Sequence, residues 1–414
     1  MKAILGRGNF PKKNISLQIG GSKSESNRLL ILKAQFPNIS IVNLSESDDT
    51  EVLQKGLKIQ KGTVDVHHAG TAMRFLTAYF AAREGAQIIL TGSHRMQERP
   101  IGVLVDALRH LGADIEYMGM DGFPPLKIKG KLLYQNEVRI KSDISSQFVS
   151  ALMLIAPMLP NGLHILLEGK AISKPYVEMT FSLLKQLGIQ VNFLKNEIAI
   201  SSANEVASSI FTVESDWSSA SYFYSLAALS ENGEITLKNF KENSLQGDSA
   251  LKKIYECFGV KTEFNQKEKS ITLSKQKTKL AGFLVLDLTD TPDLAQTIAV
   301  TCFGLGIVCK LTGLATLKIK ETDRLLALKT ELEKLGARVT VDSNSLHLQK
   351  STQITAGQTI DTYHDHRMAM AFAPLGIKTD LTIADAEVVS KSYPHFWQDL
   401  KNVGLHCVLE KTSL

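Results

Sequence analysis

LVDALRHLGADIEYM, Leu104 to Met118, reads as two elements joined at one glycine. Leu104, Leu108 and Leu111 recur at helical spacing, so the part before Gly112 predicts an amphipathic helix. After the glycine, Ile115 and Tyr117 alternate with charged residues as in a half-buried strand. A helix that ends this way needs a left-handed residue just past its last turn, and glycine takes that conformation without a steric penalty.

Working outward, the same pattern recurs in FSLLKQLGIQVNF ending at Phe193, LKKIYECFGVKTEF at Phe264, LKTELEKLGARVTV at Val341 and FWQDLKNVGLHCVL at Leu409. A weaker first copy is TEVLQKGLKIQ, ending at Gln60. Gly56, Gly112, Gly188, Gly259, Gly336 and Gly404 are the predicted helix caps. A second helix type precedes each copy: SNRLLILKAQF from Ser26, GTAMRFLTAYFAAR from Gly70, SSQFVSALMLIAPML from Ser145, WSSASYFYSLAAL from Trp217, PDLAQTIAVTCFG from Pro292 and HRMAMAFAPLGI from His366. These are apolar on nearly every side and belong in a core, with the amphipathic type more exposed. Between the two types run β-like stretches such as QIILTG, LHILLEG, EITLKNF and CKLTGL. One unit is strand, buried helix, strand, amphipathic helix, strand. Many α/β proteins repeat helix-glycine-strand, but two helix types recurring in one order mark a true sixfold repeat, dividing three plus three near Glu214-Ser215-Asp216.

A chain of 414 residues exceeds one ordinary core, and 44% hydrophobic with 21% charged residues is a globular composition, so two domains are expected. A net charge of +5 suits acidic small molecules and falls short of the basic stripe of a nucleic-acid binder. Cys257, Cys302, Cys309 and Cys407 form no Cys-x-x-Cys pair, which suggests neither zinc nor a disulfide framework and fits a reducing compartment. The apolar run near Phe148 to Leu159 is too short to span a bilayer, and residues 1–13 lack a secretory apolar region. The expectation is a cytoplasmic protein without membrane or nucleic-acid partners.

Departures from the repeat cluster in polar loops ahead of helix starts. In Gly20-Gly21-Ser22-Lys23-Ser24-Glu25-Ser26-Asn27-Arg28 the glycines predict a tight turn and the Ser/Asn cluster offers capping oxygens. Lys23 and Arg28 add cations where unpaired N–H groups and the helix dipole already attract an anion. A solvated, Ser-capped helix start would look similar, and the Gly-Lys-Thr/Ser ending of a nucleotide P-loop is missing. Gly70 opens the second buried helix and lets a ligand approach the backbone; Ser145-Ser146-Gln147 opens the third with more hydroxyl and amide than capping needs. Arg95-Met96-Gln97-Glu98-Arg99-Pro100, Ser173-Lys174-Pro175-Tyr176, Lys320-Glu321-Thr322-Asp323-Arg324 and Ser390-Lys391-Ser392-Tyr393-Pro394 each bring a cation to an amphipathic helix. Thr291-Pro292-Asp293 and His364-Asp365-His366-Arg367 stand at the fifth and sixth buried helices; the His-x-His pair has no third ligand and reads as helix-start polarity. Cations at helix starts in both halves suit a polyanion, with Asp293 and Glu321 as proton acceptor and donor.

In this order across nearly the whole chain, GSKSESNR, AGTAMR, RMQERP, SSQF, SKPY, TPD, KETDR, HDHRMAM and SKSYP closely resemble the 5-enolpyruvylshikimate-3-phosphate (EPSP) synthase family. The resemblance implies an inside-out α/β barrel architecture of two domains, each of three βαβαββ units. Residues 16–216 would form the N-terminal domain, residues 1–15 and 217–414 the C-terminal one, with the active site in the cleft between them. It also implies transfer of the enolpyruvyl group of phosphoenolpyruvate to the 5-hydroxyl of shikimate 3-phosphate, with release of phosphate, on the route to chorismate and aromatic amino acids. No metal or other cofactor is implied, and a monomer is expected.

By matching positions, the resemblance assigns Lys23, Ser24, Arg28, Ser145, Ser146, Gln147, Ser173, Tyr176, Asp293, Thr316 and Lys320 to shikimate 3-phosphate. It assigns Lys23, Gly70, Arg95, Gln147, Arg324, Arg367 and Lys391 to phosphoenolpyruvate, whose pocket also takes the herbicide glyphosate. Asp293 would be the base at the hydroxyl, Glu321 would exchange the proton at the methylene carbon, and Lys23 would stabilise the bridging oxygen and leaving phosphate. Three positions depart from the family pattern: His68 for Asn, Phe75 for Pro and Thr316 for Asn. The sister transferase acting on UDP-N-acetylglucosamine uses a Cys in the loop that here reads Gly92-Ser93-His94-Arg95-Met96-Gln97-Glu98-Arg99, and no Cys precedes Cys257. A non-catalytic anion-binding repeat protein would need the cations but neither Asp293 nor Glu321.

Overall fold

The computed structural model describes residues 1–6, 15–141, 145–169, 173–351 and 353–411. Residues 7–14, part of the stretch read for a leader and of the segment 1–15 assigned to the C-terminal half, lie outside the described residues. The chain is mixed α/β and forms two compact units, Met1–Gly20 with Glu214–Leu414, and Gly21–Val213. Ser215 and Asp216 belong with the first of these. Ser215 Oγ donates to the Ile19 and Lys238 carbonyls at 2.7 and 3.0 Å, and the Asp216 N–H donates to the Gly20 carbonyl at 3.1 Å.

In the unit Gly21–Val213, strand Lys61–Asp65 pairs parallel with Gln87–Thr91, which continues antiparallel to Leu126–Lys129 and then to Asp114–Tyr117. Glu137–Lys141, Leu163–Glu168, Glu197–Ile200 and Val191–Leu194 repeat that order. Ile39–Val42 and Ser209–Thr212 form a two-stranded parallel sheet. Helices Lys23–Gln35, Gly70–Ala82 and Ser146–Ile155 pack on one another, and in the second only Thr71 escapes burial. Helices Gly70–Ala82 and Ser146–Ile155 are mainly apolar and can satisfy their surfaces only in a core, whereas Lys23–Gln35 buries Leu29–Leu32 together with its polar residues Glu25, Ser26, Asn27 and Arg28.

The other unit repeats the order three times. Its sheets are Ile15–Gln18, Glu234–Lys238, Ser270–Lys275, Val260–Asn265; then Phe283–Asp287, Val308–Thr312, Leu346–Leu348, Val339–Val341; then Gln358–Ile360, Leu381–Ile383, Lys2–Gly6, His406–Glu410. In each, the first pair is parallel and the next two antiparallel. Helix Ala295–Leu305 packs against both Trp217–Leu229 and His366–Phe372, and every residue of Trp217–Leu229 except Ser218 is buried.

Five predicted glycine caps are left-handed: Gly112, Gly188, Gly259, Gly336 and Gly404, with φ from 73° to 104°. Gly56 is not. It lies inside helix Asp48–Leu57, where a Cβ would come 2.8 Å from Leu76 Cδ1 and 3.2 Å from Val64 Cγ1. The glycine there lets two helices approach closely, and the strand expected in residues 57–60 begins only at Lys61.

Candidate functional site

In the unit Gly21–Val213, Ser22 caps helix Lys23–Gln35, its hydroxyl accepting from the Glu25 N–H at 3.4 Å. The preceding glycines make no left-handed turn; a Cβ on Gly21 would overlap the Asn43 carbonyl oxygen, so close approach is what requires glycine. Lys23, the first helical residue, pairs with Asp49 at 3.0 Å. The helix start that attracts anions is thus already supplied with a carboxylate, from the first turn of Asp48–Leu57.

Arg28 is buried and bonded to neutral oxygens. Nε donates to Thr180 Oγ1 and Nη1 to the Ser24 carbonyl, both at 2.8 Å, and Nη2 to Ser150 Oγ and the Tyr176 carbonyl, both at 3.1 Å. Burial pushes its pKa down to about 10, with Tyr176 and Glu25 acting in the opposite direction. The guanidinium also lies over the rings of Phe75 and Tyr176, 5.4 and 5.8 Å from their centroids. Phe75, one of the departures from the family pattern, therefore serves as a face for Arg28.

Ser145 caps helix Ser146–Ile155 by accepting from the Gln147 N–H at 3.3 Å, and Gln147 Nε2 donates to Thr71 Oγ1 at 3.2 Å. Buried Ser146 lies between them in sequence. This ties the third buried helix to the Gly70 loop. A Cβ on Gly70 would sit 2.8 Å from both terminal nitrogens of Arg99. His68 Nδ1 meets Ser93 Oγ at 2.8 Å. Ser173, buried and left-handed, caps helix Lys174–Gln186, and its carbonyl accepts from the Tyr176 N–H at 3.1 Å. Arg95 stands on the short helix His94–Gln97 and pairs with Glu98 at 3.0 Å.

The second constellation is denser. Asp293 Oδ1 accepts from Arg324 Nη1 at 2.8 Å and lies 3.5 Å from Lys320 Nζ; Oδ2 accepts from Arg367 Nη2 at 3.1 Å, and the Asp293 carbonyl from Arg367 Nη1 at 3.2 Å. Buried Arg324 donates in addition to Glu321 Oε2 at 2.8 Å, and to Asp365 through Nε at 2.6 Å and Nη2 at 3.3 Å. Asp365 in turn caps helix His366–Phe372 by accepting from the Arg367 N–H at 2.9 Å. Three cations thus interlock with three carboxylates.

Burial alone would push the Asp293 carboxyl up, but Arg367, Lys320 and Arg324 outweigh it and hold it well below the usual carboxylate range. Burial likewise opposes the charge of Arg324, and Asp365, Glu321 and Asp293 overcome it, keeping that guanidinium above its ordinary pKa. A carboxylate so heavily paired is a weak base until something takes its cations. Thr316 lies in the turn Ala315–Ile319, its Oγ1 buried without a hydrogen-bond partner. Lys391 Nζ donates to the His364 carbonyl at 2.7 Å; Tyr363 and His364 are both left-handed, with φ of 54° and 55°, in the loop that delivers Asp365.

Sequence reasoning missed Asp49 as the partner of Lys23 and Asp365 as the partner of Arg324. Asp365 was visible only as helix-start polarity, because its ion pair joins residues far apart in the chain. Among the described residues there is no group of three or more His, Cys, Asp and Glu that could hold a metal ion, and no helix long and apolar enough to cross a membrane.

The family model described as EPSP synthase (3-phosphoshikimate 1-carboxyvinyltransferase) matches residues 38–400. The 3-phosphoshikimate 1-carboxyvinyltransferase of Bacteroides fragilis strain YCH46 is 45% identical over 394 residues, covering 94% of this chain and 95% of that protein. The protein of the same name from Colwellia psychrerythraea strain 34H is 36% identical over 422 residues, covering 95% and 97%. The solved EPSP synthase of Acinetobacter baumannii matches with a TM-score of 0.75 over 99% of this chain and all of that one, at 20% identity, a likeness of fold. With kinship of this extent to proteins of one name, the chain belongs to the EPSP synthase family.

Proposed function

We propose that this protein transfers the enolpyruvyl group of phosphoenolpyruvate to the 5-hydroxyl of shikimate 3-phosphate and releases phosphate. The observation that carries the reading is the cluster in which TPD, KETDR and HDHR, three separate motifs, bring Lys320, Arg324 and Arg367 onto Asp293, with Glu321 joined through Arg324. Two arginines provide planar forks for a phosphate and a carboxylate, and two carboxylates stand within their reach. An anion-binding protein without chemistry would have no use for that second feature.

In the proposed reaction the hydroxyl oxygen bonds to the central carbon of phosphoenolpyruvate, its proton passes to Asp293, and the methylene carbon takes a proton from Glu321 in its acid form, which that carboxylate reaches once Arg324 turns from it to the substrate. The tetrahedral product then returns a methyl proton to Glu321 as its bond to the phosphate oxygen breaks, and the proton held by Asp293 passes to the departing phosphate, which leaves as hydrogen phosphate and restores the base. Lys23 would stabilise charge at that bridging oxygen. The pairing of Asp293 adds a condition: it gains proton affinity only when phosphoenolpyruvate draws Arg324 and Arg367 toward its own charges. Substrate binding and activation of the base are thereby one event.

The remaining assignments are part of the same proposal. Ser24, Arg28, Ser145, Ser146, Gln147, Ser173, Tyr176 and Thr316 would meet shikimate 3-phosphate, and Gly70, Arg95 and Lys391 phosphoenolpyruvate, in a protein of two domains with three βαβαββ repeats each. The five four-stranded sheets with one pairing order support the repeat, and the parallel start of the two-stranded sheet matches its opening. A cytoplasmic monomer completes the reading. Phosphate release should require both substrates together and should fail when UDP-N-acetylglucosamine replaces shikimate 3-phosphate; release with the UDP-sugar instead would assign the sister reaction.

A further inference from the structure

Arg367 has a second set of contacts beyond Asp293. Its Nη2 also donates to Ser218 Oγ at 3.3 Å, and the Ser218 hydroxyl donates to Asp248 Oδ2. Asp248 lies on the turn Gly247–Ala250, is 4% exposed, and keeps Oδ1 buried with no hydrogen-bond partner. The turn is held by Gln246, whose side chain accepts from the Trp217 N–H at 2.9 Å and donates to the Ser215 carbonyl at 2.8 Å. A fixed frame therefore presents the carboxyl to Ser218.

A buried carboxyl with one oxygen left without a hydrogen-bond partner costs stability. Its chemical value lies in the chain it ends. A hydroxyl that donates to an anion is a better acceptor for the next donor, here Arg367. When an anionic ligand takes Arg367 from the Asp293 carboxylate, Ser218 is a contact that the guanidinium can keep. We propose that Asp248, acting through Ser218 Oγ, is a positioning residue that holds Arg367 toward its anionic ligand while Asp293 is released. The proposal rests on the enolpyruvyl-transfer reading, in which that ligand is phosphoenolpyruvate.

The charged groups facing Asp248 are Arg367, Asp293 and Asp216. Burial pushes its carboxyl up to about 6, Arg367 opposes, and Asp293 and Asp216 add to the rise. The anchor therefore weakens as pH falls through about 6.

The test compares the wild type with Asp248→Asn, Ser218→Ala and Ser218→Thr. The KM for phosphoenolpyruvate is expected to rise about tenfold in the first two, the scale of one hydrogen bond to a charged group. kcat and the KM for shikimate 3-phosphate should change much less, and Ser218→Thr, which keeps the hydroxyl, should stay near the wild type. Lowering the pH from about 7 to about 5.5 should raise this KM more steeply in the wild type than in Asp248→Asn. An unchanged KM overturns the proposal; a lower one also does, by showing that Asp248 acts only as a competing charge. If Asp248→Asn does not fold, the two Ser218 variants decide the matter alone.

Infrared difference titration supplies a readout without substrates. The band of a protonated carboxyl titrating near pH 6 should vanish in Asp248→Asn and move in Ser218→Ala. A band indifferent to Ser218→Ala overturns the link. A wild type that shows the linked band yet releases no phosphate from the substrate pair sinks the enolpyruvyl-transfer reading and leaves the link standing.

Discussion

Arg324 Nη1 and Asp293 Oδ1 meet at 2.8 Å, and Arg324 is 2% exposed, so the carboxylate assigned to proton removal starts as the partner of a buried cation. Arg367 and Lys320 share the same carboxylate. Replacing Asp293 with Asn removes the base and also a competitor for three cations. Turnover should fall roughly 10²- to 10⁴-fold, the usual worth of a positioned acid–base group. Phosphoenolpyruvate should bind as well as before or a few-fold more tightly. Calorimetric titration of the variant with both substrates checks this, and clearly weakened phosphoenolpyruvate binding would show that Asp293 organises the arginines more than it occupies them.

Asp365 is fully buried and gives both carboxylate oxygens to Arg324 while capping the helix that carries Arg367. Removing one partner of a buried ion pair leaves a charge with diminished compensation, typically at a cost of about 3–5 kcal/mol. Asp365→Ala should lose stability on that scale in urea denaturation. Glu98→Ala, which removes the half-exposed partner of Arg95, should cost about 1 kcal/mol or less. Equal losses would refute the importance given to burial.

The proton equilibrium of Asp248 predicts an unusual slope. Its folded pKa, about 6, lies above its ordinary value of 3.8, so the folded protein holds the proton more tightly than the unfolded chain does. The stabilisation from that proton is complete below pH 3.8, falls as pH rises, and is lost above about 6. A shift of this size corresponds to about 3 kcal/mol. Asp248→Asn should cancel this component, so its stability relative to the wild type should improve between pH 4.5 and 7.5, on the order of the same amount. A difference independent of pH would show that Asp248 does not titrate in this range.

The helices and most strands were legible because their signals are local. Leu104, Leu108 and Leu111 repeat at helical spacing before Gly112, and the left-handed backbone at that glycine is set by its immediate neighbours. Gly56 looked the same in sequence, yet its reason is Leu76 on another helix, which no local pattern reveals. The candidate site divides in the same way. The cations were visible as helix-start residues, whereas their carboxylate partners Asp49 and Asp365 meet them only through folding. Gly56→Ala tests the distinction: overpacking against Leu76 should cost about 1–3 kcal/mol in thermal or urea unfolding. A gain in stability, as expected of an unhindered helical glycine replaced by alanine, would show that the contact with Leu76 relaxes freely.

The family resemblance assigns Gly70 to the phosphoenolpyruvate pocket and implies that glyphosate shares it, so a methyl added by Gly70→Ala would be expected to enter that pocket. In the structure the first group that such a methyl meets is the Arg99 guanidinium. A Cβ at this position would lie 2.8 Å from Arg99 Nη1 and Nη2 and 3.0 Å from Cζ, and Arg99 is 7% exposed. Contacts this short cannot persist, and the guanidinium, as the end of a flexible side chain, is the group that gives way. Any tolerance to glyphosate would then arise through displaced Arg99. Gly70→Ala should raise the inhibitory concentration of glyphosate about tenfold, with a few-fold rise in the KM for phosphoenolpyruvate, consistent with about 1–3 kcal/mol of overpacking. A double-mutant cycle with Arg99→Ala separates the two routes. If the methyl acts through Arg99, its effect on glyphosate should largely disappear once that side chain is gone, giving strong non-additivity. Additive effects would show that the methyl reaches the inhibitor directly and that Arg99 is only a neighbour.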